Sequence, residues 1–149
     1  MCNGNEHFYR QLASYGAGNA FDRDQFYFDV RLGRFPDRKS FAPNVPSKLR
    51  TVIKKCLEIR PEDRYQSALD VANSMADIDG ETLDWRLSEH PDRKIWTKKV
   101  EENQYELSLH GDGTTTCYKS VNGNKPRRVG EACRENITDK DLRKIFKEY

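Results

Sequence analysis

The apolar residues of this chain change their period partway along. Leu49, Val52, Ile53, Cys56 and Leu57 fall at i, i+3, i+4, i+7 and i+8, one stripe of an α-helix. Tyr105, Leu107 and Leu109 alternate instead, as in a half-buried strand. A chain that is helical first and β-rich later is expected to fold as α+β, with the two kinds of structure segregated along the sequence.

The helical half is punctuated by Gly and Pro. A short helix over 5–15 carries Phe8, Leu12 and Tyr15, with Asn5 as its cap, and Gly16, Gly18 and Asn19 break it. Asp24–Leu32 reads as a second helix that presents Phe26 and Val30 and stops at Gly33. Pro36, Pro43 and Pro46 make 35–46 a loop. Ser47 starts the helix that bears the stripe, with Lys48, Arg50, Lys54 and Lys55 as its solvated face. Pro61 opens a turn, Ser67 caps a further helix to about Ile78, and Leu69, Ala72, Met75 and Ala76 are its inner stripe.

Residues 80–93 are polar apart from Leu83, Trp85 and Leu87 and read as a linker. Strands are expected at Ile95–Val100, Gln104–Leu109 and Thr114–Val121, with a short fourth at 125–129. Gly111-Asp112-Gly113 and Asn122-Gly123 supply turns. Thr138 and Asp141 form a capping-box pattern before a helix that buries Leu142, Ile145, Phe146 and Tyr149. The expected organisation is a small helical domain over 1–79, a linker over 80–93, and a β-meander with one packed helix over 94–149.

Composition excludes several classes. The chain has 149 residues and a net charge of +2, less basic than a dedicated nucleic-acid binder. No apolar run is long enough to span a membrane, and Met1–Glu6 lacks the basic start and apolar core of a signal peptide. Cys2, Cys56, Cys117 and Cys133 form no Cys-x-x-Cys pair, and His7, His90 and His110 have no neighbour at metal spacing. No metal site is expected, and unpaired cysteines suit a reducing cytoplasm.

Two stretches resemble the end of the large lobe of a bacterial-type serine/threonine protein kinase. One is Val30-Arg31-Leu32-Gly33-Arg34-Phe35-Pro36-Asp37-Arg38 with Pro43-Asn44-Val45-Pro46. The other is Leu49–Ala68, centred on Pro61-Glu62-Asp63-Arg64-Tyr65-Gln66-Ser67-Ala68. The resemblance covers residues 1–79 and places Met1–Asn5 just past the central helix of that lobe. Phosphoryl transfer needs a phosphate-binding lysine, metal-holding Asp and Asn, and a catalytic Asp. Residues 1–79 contain no Val-Ala-x-Lys, His-Arg-Asp, Asp-Phe-Gly or Ala-Pro-Glu, and Gly16-Ala17-Gly18 is only Gly-x-Gly. The expectation is therefore no catalytic and no ATP-binding residue in this chain, with ATP and Mg²⁺ relevant only where the missing lobes are present.

Arg64 matches the family arginine that pairs with the glutamate of Ala-Pro-Glu. Without that partner a buried guanidinium would cost on the order of several kcal/mol. Arg64 is therefore expected to face solvent or to adopt Glu58, Asp63 or Asp70. Cut from a larger lobe, the helical stripes are expected to pack on each other, on Phe26, Phe28, Phe35 and Phe41, on the C-terminal domain, or on another molecule.

Residues 94–149 carry twelve Lys or Arg against nine Asp or Glu. Trp96, Lys98, Lys99, Tyr118, Lys119, Lys125, Arg127 and Arg128 mix cations with aromatics, a combination that could bind single-stranded nucleic acid by stacking and phosphate contact. The simpler expectation is that Trp96 and Tyr118 belong to the core and the lysines solvate the outer face. Three roles follow: a non-catalytic kinase-lobe end with an appended regulatory or protein-interaction module, a free-standing adaptor or scaffold, and a small nucleic-acid-binding protein.

Overall fold

The computed structural model describes residues 4–149, with side chains from His7 onward. The chain forms two compact units, residues 4–78 and Asp79–Tyr149. The first unit is helical and the second combines five strands with one α-helix, so the fold is α+β.

The first unit holds α1 (Gly4–Ala13), α2 (Arg23–Arg31), α3 (Ser47–Cys56) and α4 (Ala68–Met75), with 3₁₀ turns at Gly18–Ala20 and Pro61–Asp63. The cap expected at Asn5 lies outside the described side chains, as does Cys2. Asp22 caps α2 by accepting from the Gln25 amide. Phe8, Tyr15, Phe21, Phe26 and Phe35 form one ring cluster, with centroids 5.1 Å apart at Phe26 and Phe35. Phe28 is not part of it and stays exposed beneath the Arg34 guanidinium.

Gly33 ends α2 with φ +66°, and the Arg38 guanidinium occupies the space a Cβ would need. Arg38 Nε and Nη2 donate to the Gly33 carbonyl at 3.1 and 2.9 Å, and Nη1 donates to that of Leu57 at 2.9 Å. The Phe35–Pro36 peptide is cis.

The segment 35–46 is a loop, as expected, and two other expectations for this unit are corrected. The proline-rich loop supplies buried Ala42, Asn44 and Val45, which join Leu49 and Val52 of α3 in the core. Arg50 is not on a solvated face. Its guanidinium donates to the carbonyls of Val45 (2.9 Å), Ala42 (2.9 Å) and Pro43 (3.3 Å). A buried loop has carbonyls that no ladder satisfies, and a neighbouring arginine meets them. On α4 the supposed inner stripe is exposed, with Leu69 at 67% and Met75 at 45%, while Val71 turns inward.

The second unit is an antiparallel five-stranded sheet in the order β1-β2-β3-β4-β5. The strands are β1 (Arg86–Glu89), β2 (Arg93–Val100), β3 (Asn103–His110), β4 (Thr115–Val121) and β5 (Arg127–Arg128). Helix α5 (Asp139–Glu148) covers one face. The stretch 80–93, read as a linker, instead contains a 3₁₀ turn at Glu81–Asp84, the core residue Trp85 and all of β1. A four-residue strand with one apolar residue has too little alternation to be recognised before its partner is known.

The core joins Trp85, Trp96, Leu107, Cys117, Ala132, Leu142, Ile145 and Phe146. Register explains the set. Leu87 faces Trp96, Trp96 faces Leu107, and Leu107 faces Cys117 across four adjacent strands. The capping box at the start of α5 forms as the sequence implies. The Asp141 amide donates to Thr138 Oγ1 at 3.2 Å, and the Thr138 amide donates to Asp141 Oδ2 at 3.2 Å.

Candidate functional site

Side chains directly opposite one another across a sheet share a face. The pairs Lys98–Tyr105, Tyr105–Lys119 and Lys119–Arg127 therefore form one row on the face that α5 covers. Thr97–Glu106, Glu106–Tyr118 and Tyr118–Arg128 form a second row on the opposite face.

This arrangement divides the residues that the sequence groups as one binding face. Trp96, Lys98, Lys119 and Arg127 lie on the helix-covered face. Tyr118 and Arg128 lie on the other. Trp96 is 0% exposed and packs against Phe146 at 5.4 Å, so its ring is closed to a ligand. Tyr118, grouped with the core in the simpler expectation, is 40% exposed. Adjacent residues of one strand point to opposite faces, so Tyr118 and Lys119 cannot share one, and register decides which of the two joins Trp96.

The cations on the covered face differ in setting. Lys98 is only 8% exposed and its ammonium lies 6.0 Å from the Trp85 ring centroid. The Lys119 ammonium sits over Tyr105 at 5.3 Å. Along β4 the inward residues run Thr115, Cys117, Lys119, Val121, so the row passes from the sealed core to an open end. There Lys119, Val121, Asn124, Lys125, Pro126 and Arg127 line a cleft of about 730 Å³.

Three of those six side chains are cationic and none is acidic. None of Lys98, Lys119, Lys125 and Arg127 makes an ion pair among the described residues. Glu102, close to the loop after β4, accepts from Asn122 Nδ2 at 2.8 Å. The loop turns through Asn122 and Gly123, both at positive φ (51° and 72°), which returns the chain to place Lys125 and Arg127 beside Lys119. The sequence signal for this cleft was the Asn-Gly turn flanked by lysine and arginine, which no spacing rule singles out.

On the other face Arg128 is tied to a thiol. Its Nε donates to Cys133 Sγ at 3.3 Å, which also accepts from the Cys117 amide at 3.3 Å. Burial pushes the Cys117 thiol up to about 12, with Cys133 and Glu106 adding to the effect. Among the described residues no group of His, Cys, Asp and Glu is placed to hold a metal ion.

Arg64, expected from the resemblance to lack its ion-pair partner, is exposed and uses neither Asp63 nor Asp70. It donates from Nε to the Glu58 carbonyl at 2.7 Å and from Nη2 to the Ile59 carbonyl at 3.2 Å. It thereby satisfies carbonyls just beyond the end of α3. The Glu58 carboxylate lies instead 3.9 Å from Arg38.

Compared with family models, curated proteins and solved structures, the chain matches none. No helix among the described residues is long and apolar enough to cross a membrane.

Proposed function

We propose that this chain is a non-catalytic C-terminal segment of a serine/threonine protein kinase-like protein, in which residues 1–78 close a large lobe and Asp79–Tyr149 are an appended interaction module. The observation that carries the reading is the order α3, a 3₁₀ turn at Pro61–Asp63, Arg64, then a helix capped by Ser67. The resemblance implies a helix–loop–helix with a Pro-x-x-Arg turn between the helices, and this order of elements supports the reading. By itself the chain transfers no phosphoryl group, because residues 1–79 contain none of the motifs that hold ATP, Mg²⁺ or the catalytic base. ATP and Mg²⁺ act only where the rest of a kinase domain is present.

The helical unit exposes Tyr27, Phe28, Val30, Leu32, Leu69 and Met75. Exposed apolar side chains in such number favour a protein partner or self-association, in a cytoplasmic setting. The test is calorimetric titration of the chain with Mg²⁺-ATP, run beside sedimentation velocity. Absence of heat with ATP is the expected result, and saturable ATP binding would overturn the reading.

A further inference from the structure

We propose that the cleft at the open end of the covered sheet face binds a phosphate monoester presented by a phosphorylated peptide. The inference rests on reading Asp79–Tyr149 as an interaction module. It does not depend on the kinase likeness of the helical unit.

Charge comes first. Lys119 and Arg127 are direct cross-strand partners, about 5 Å apart at their Cβ atoms. Like charges set opposite one another repel, and no carboxylate pairs with either among the described residues. Lys125 adds a third cation to the same cleft. Lys98 adds to the field from two strands away in the same row. An anion held between Lys119 and Arg127 turns their repulsion into attraction.

The donors suit a phosphoryl group. Arg127 offers a planar fork that can donate two parallel hydrogen bonds, and Lys119 and Lys125 offer mobile point charges. A phosphate monoester brings three acceptor oxygens and a charge of about −1.5 to −2 near neutral pH. A carboxylate brings one charge and two oxygens and would leave part of the cluster unmet.

The surroundings separate the macromolecules that carry phosphate. Single-strand binders stack bases on exposed aromatic rings. Here Trp96 is sealed in the core, Tyr118 is on the opposite face, and a face of Tyr105 is already taken by Lys119. The cleft offers no free ring to a base. It offers Val121, exposed at 42%, and Pro126, apolar surfaces that fit side chains flanking a phosphorylated residue. Its volume also exceeds what one free phosphate ion fills, within the range of about 300–1,000 Å³ typical of ligand sites.

The test is an ¹⁵N NMR titration of the full chain with four probes. These are a degenerate pool of phosphoserine and phosphothreonine nonapeptides, the same pool without phosphate, inorganic phosphate, and a ten-nucleotide single-stranded RNA. Saturable shifts at the amides of Lys119, Lys125 and Arg127 with the phosphorylated pool alone, or far below the phosphate-ion concentration, are expected. Arg127 is exposed on a two-residue edge strand, so Arg127→Ala should leave the remaining spectrum intact. It should weaken binding by about tenfold or more. Lys119→Glu should abolish binding. Equal response to the unphosphorylated pool, equal affinity for inorganic phosphate, tighter RNA binding at these amides, or no response to the phosphorylated pool would each overturn the proposal. Unphosphorylated peptide bound elsewhere on the unit would leave the interaction module standing, whereas failure of the kinase-segment reading appears only in the ATP titration.

Discussion

The indole Nε1 of Trp85 donates to the carbonyl oxygen of Phe146 at 3.1 Å, and the two rings meet edge to face at 5.3 Å. This pair joins the start of the second unit to the last turns of α5, 61 residues later. Trp85→Ala should therefore destabilise that unit by about 3–5 kcal/mol through the lost ring volume. Trp85→Phe keeps most of the ring and should lose about 1 kcal/mol, the worth of one hydrogen bond. Chemical denaturation followed by far-UV circular dichroism separates the two.

The same contact sets the domain boundary. A fragment of residues 79–149 should fold, because it retains Trp85 and the β1–β2 ladder. A fragment of residues 94–149 should give a collapsed or unfolded spectrum, since it lacks β1, Trp85 and part of the Trp96 environment. Dispersion of the amide spectrum decides between them.

Acid should destabilise both units. Donation from Gln25, then from Tyr15 and Arg34, holds the Asp29 carboxyl below its ordinary value of 3.8. Thr138 does the same for Asp141. A carboxylate with a depressed folded value contributes stability that is complete above the unfolded value and lost as pH falls through the folded one. Midpoints of denaturation should thus be flat above about pH 5 and fall below pH 4. Asp141→Asn should flatten the acid limb of the second unit, and an unchanged limb would show that this carboxylate contributes nothing to it.

Cys117 should resist alkylation. Its thiol, raised to about 12 from 9.0 by burial, holds almost no thiolate at pH 8. Iodoacetamide should modify partly exposed Cys56 and Cys133 first and reach Cys117 only after unfolding, as read by peptide mass spectrometry. Because the folded value is raised, the corresponding stability is complete below pH 9 and is lost as pH rises toward 12.

Loss of the α5 cap should be modest. Thr138→Ala removes the acceptor for the Asp141 amide and should cost about 1 kcal/mol, with Thr138→Ser recovering most of it. Thermal denaturation of the 79–149 fragment reads the difference.

Signals that act over a few residues were legible in the sequence. The stripe on α3, the cap at Ser67, the capping box at Thr138 and Asp141, the Asn122-Gly123 turn and the alternation along β3 each depend on neighbours within one turn or one hairpin. Those neighbours are present whatever the rest of the chain does.

What crosses between elements was decided only by the tertiary structure. β1 exists because Arg86–Glu89 finds β2, and Trp85 is core because α5 returns to it. Arg50 is drawn onto the carbonyls of Ala42, Pro43 and Val45 because that loop is buried. Leu69 and Met75 are exposed because the helical unit turns Val71 inward instead. The cationic row was hidden for the same reason. Composition places Trp96, Lys98, Tyr118, Lys119, Arg127 and Arg128 in one group, but strand parity sends Tyr118 and Arg128 to the far face and seals Trp96. Local propensity depends on adjacent residues, whereas face and register depend on which strand lies alongside. A shift of one residue in that pairing would reverse every assignment.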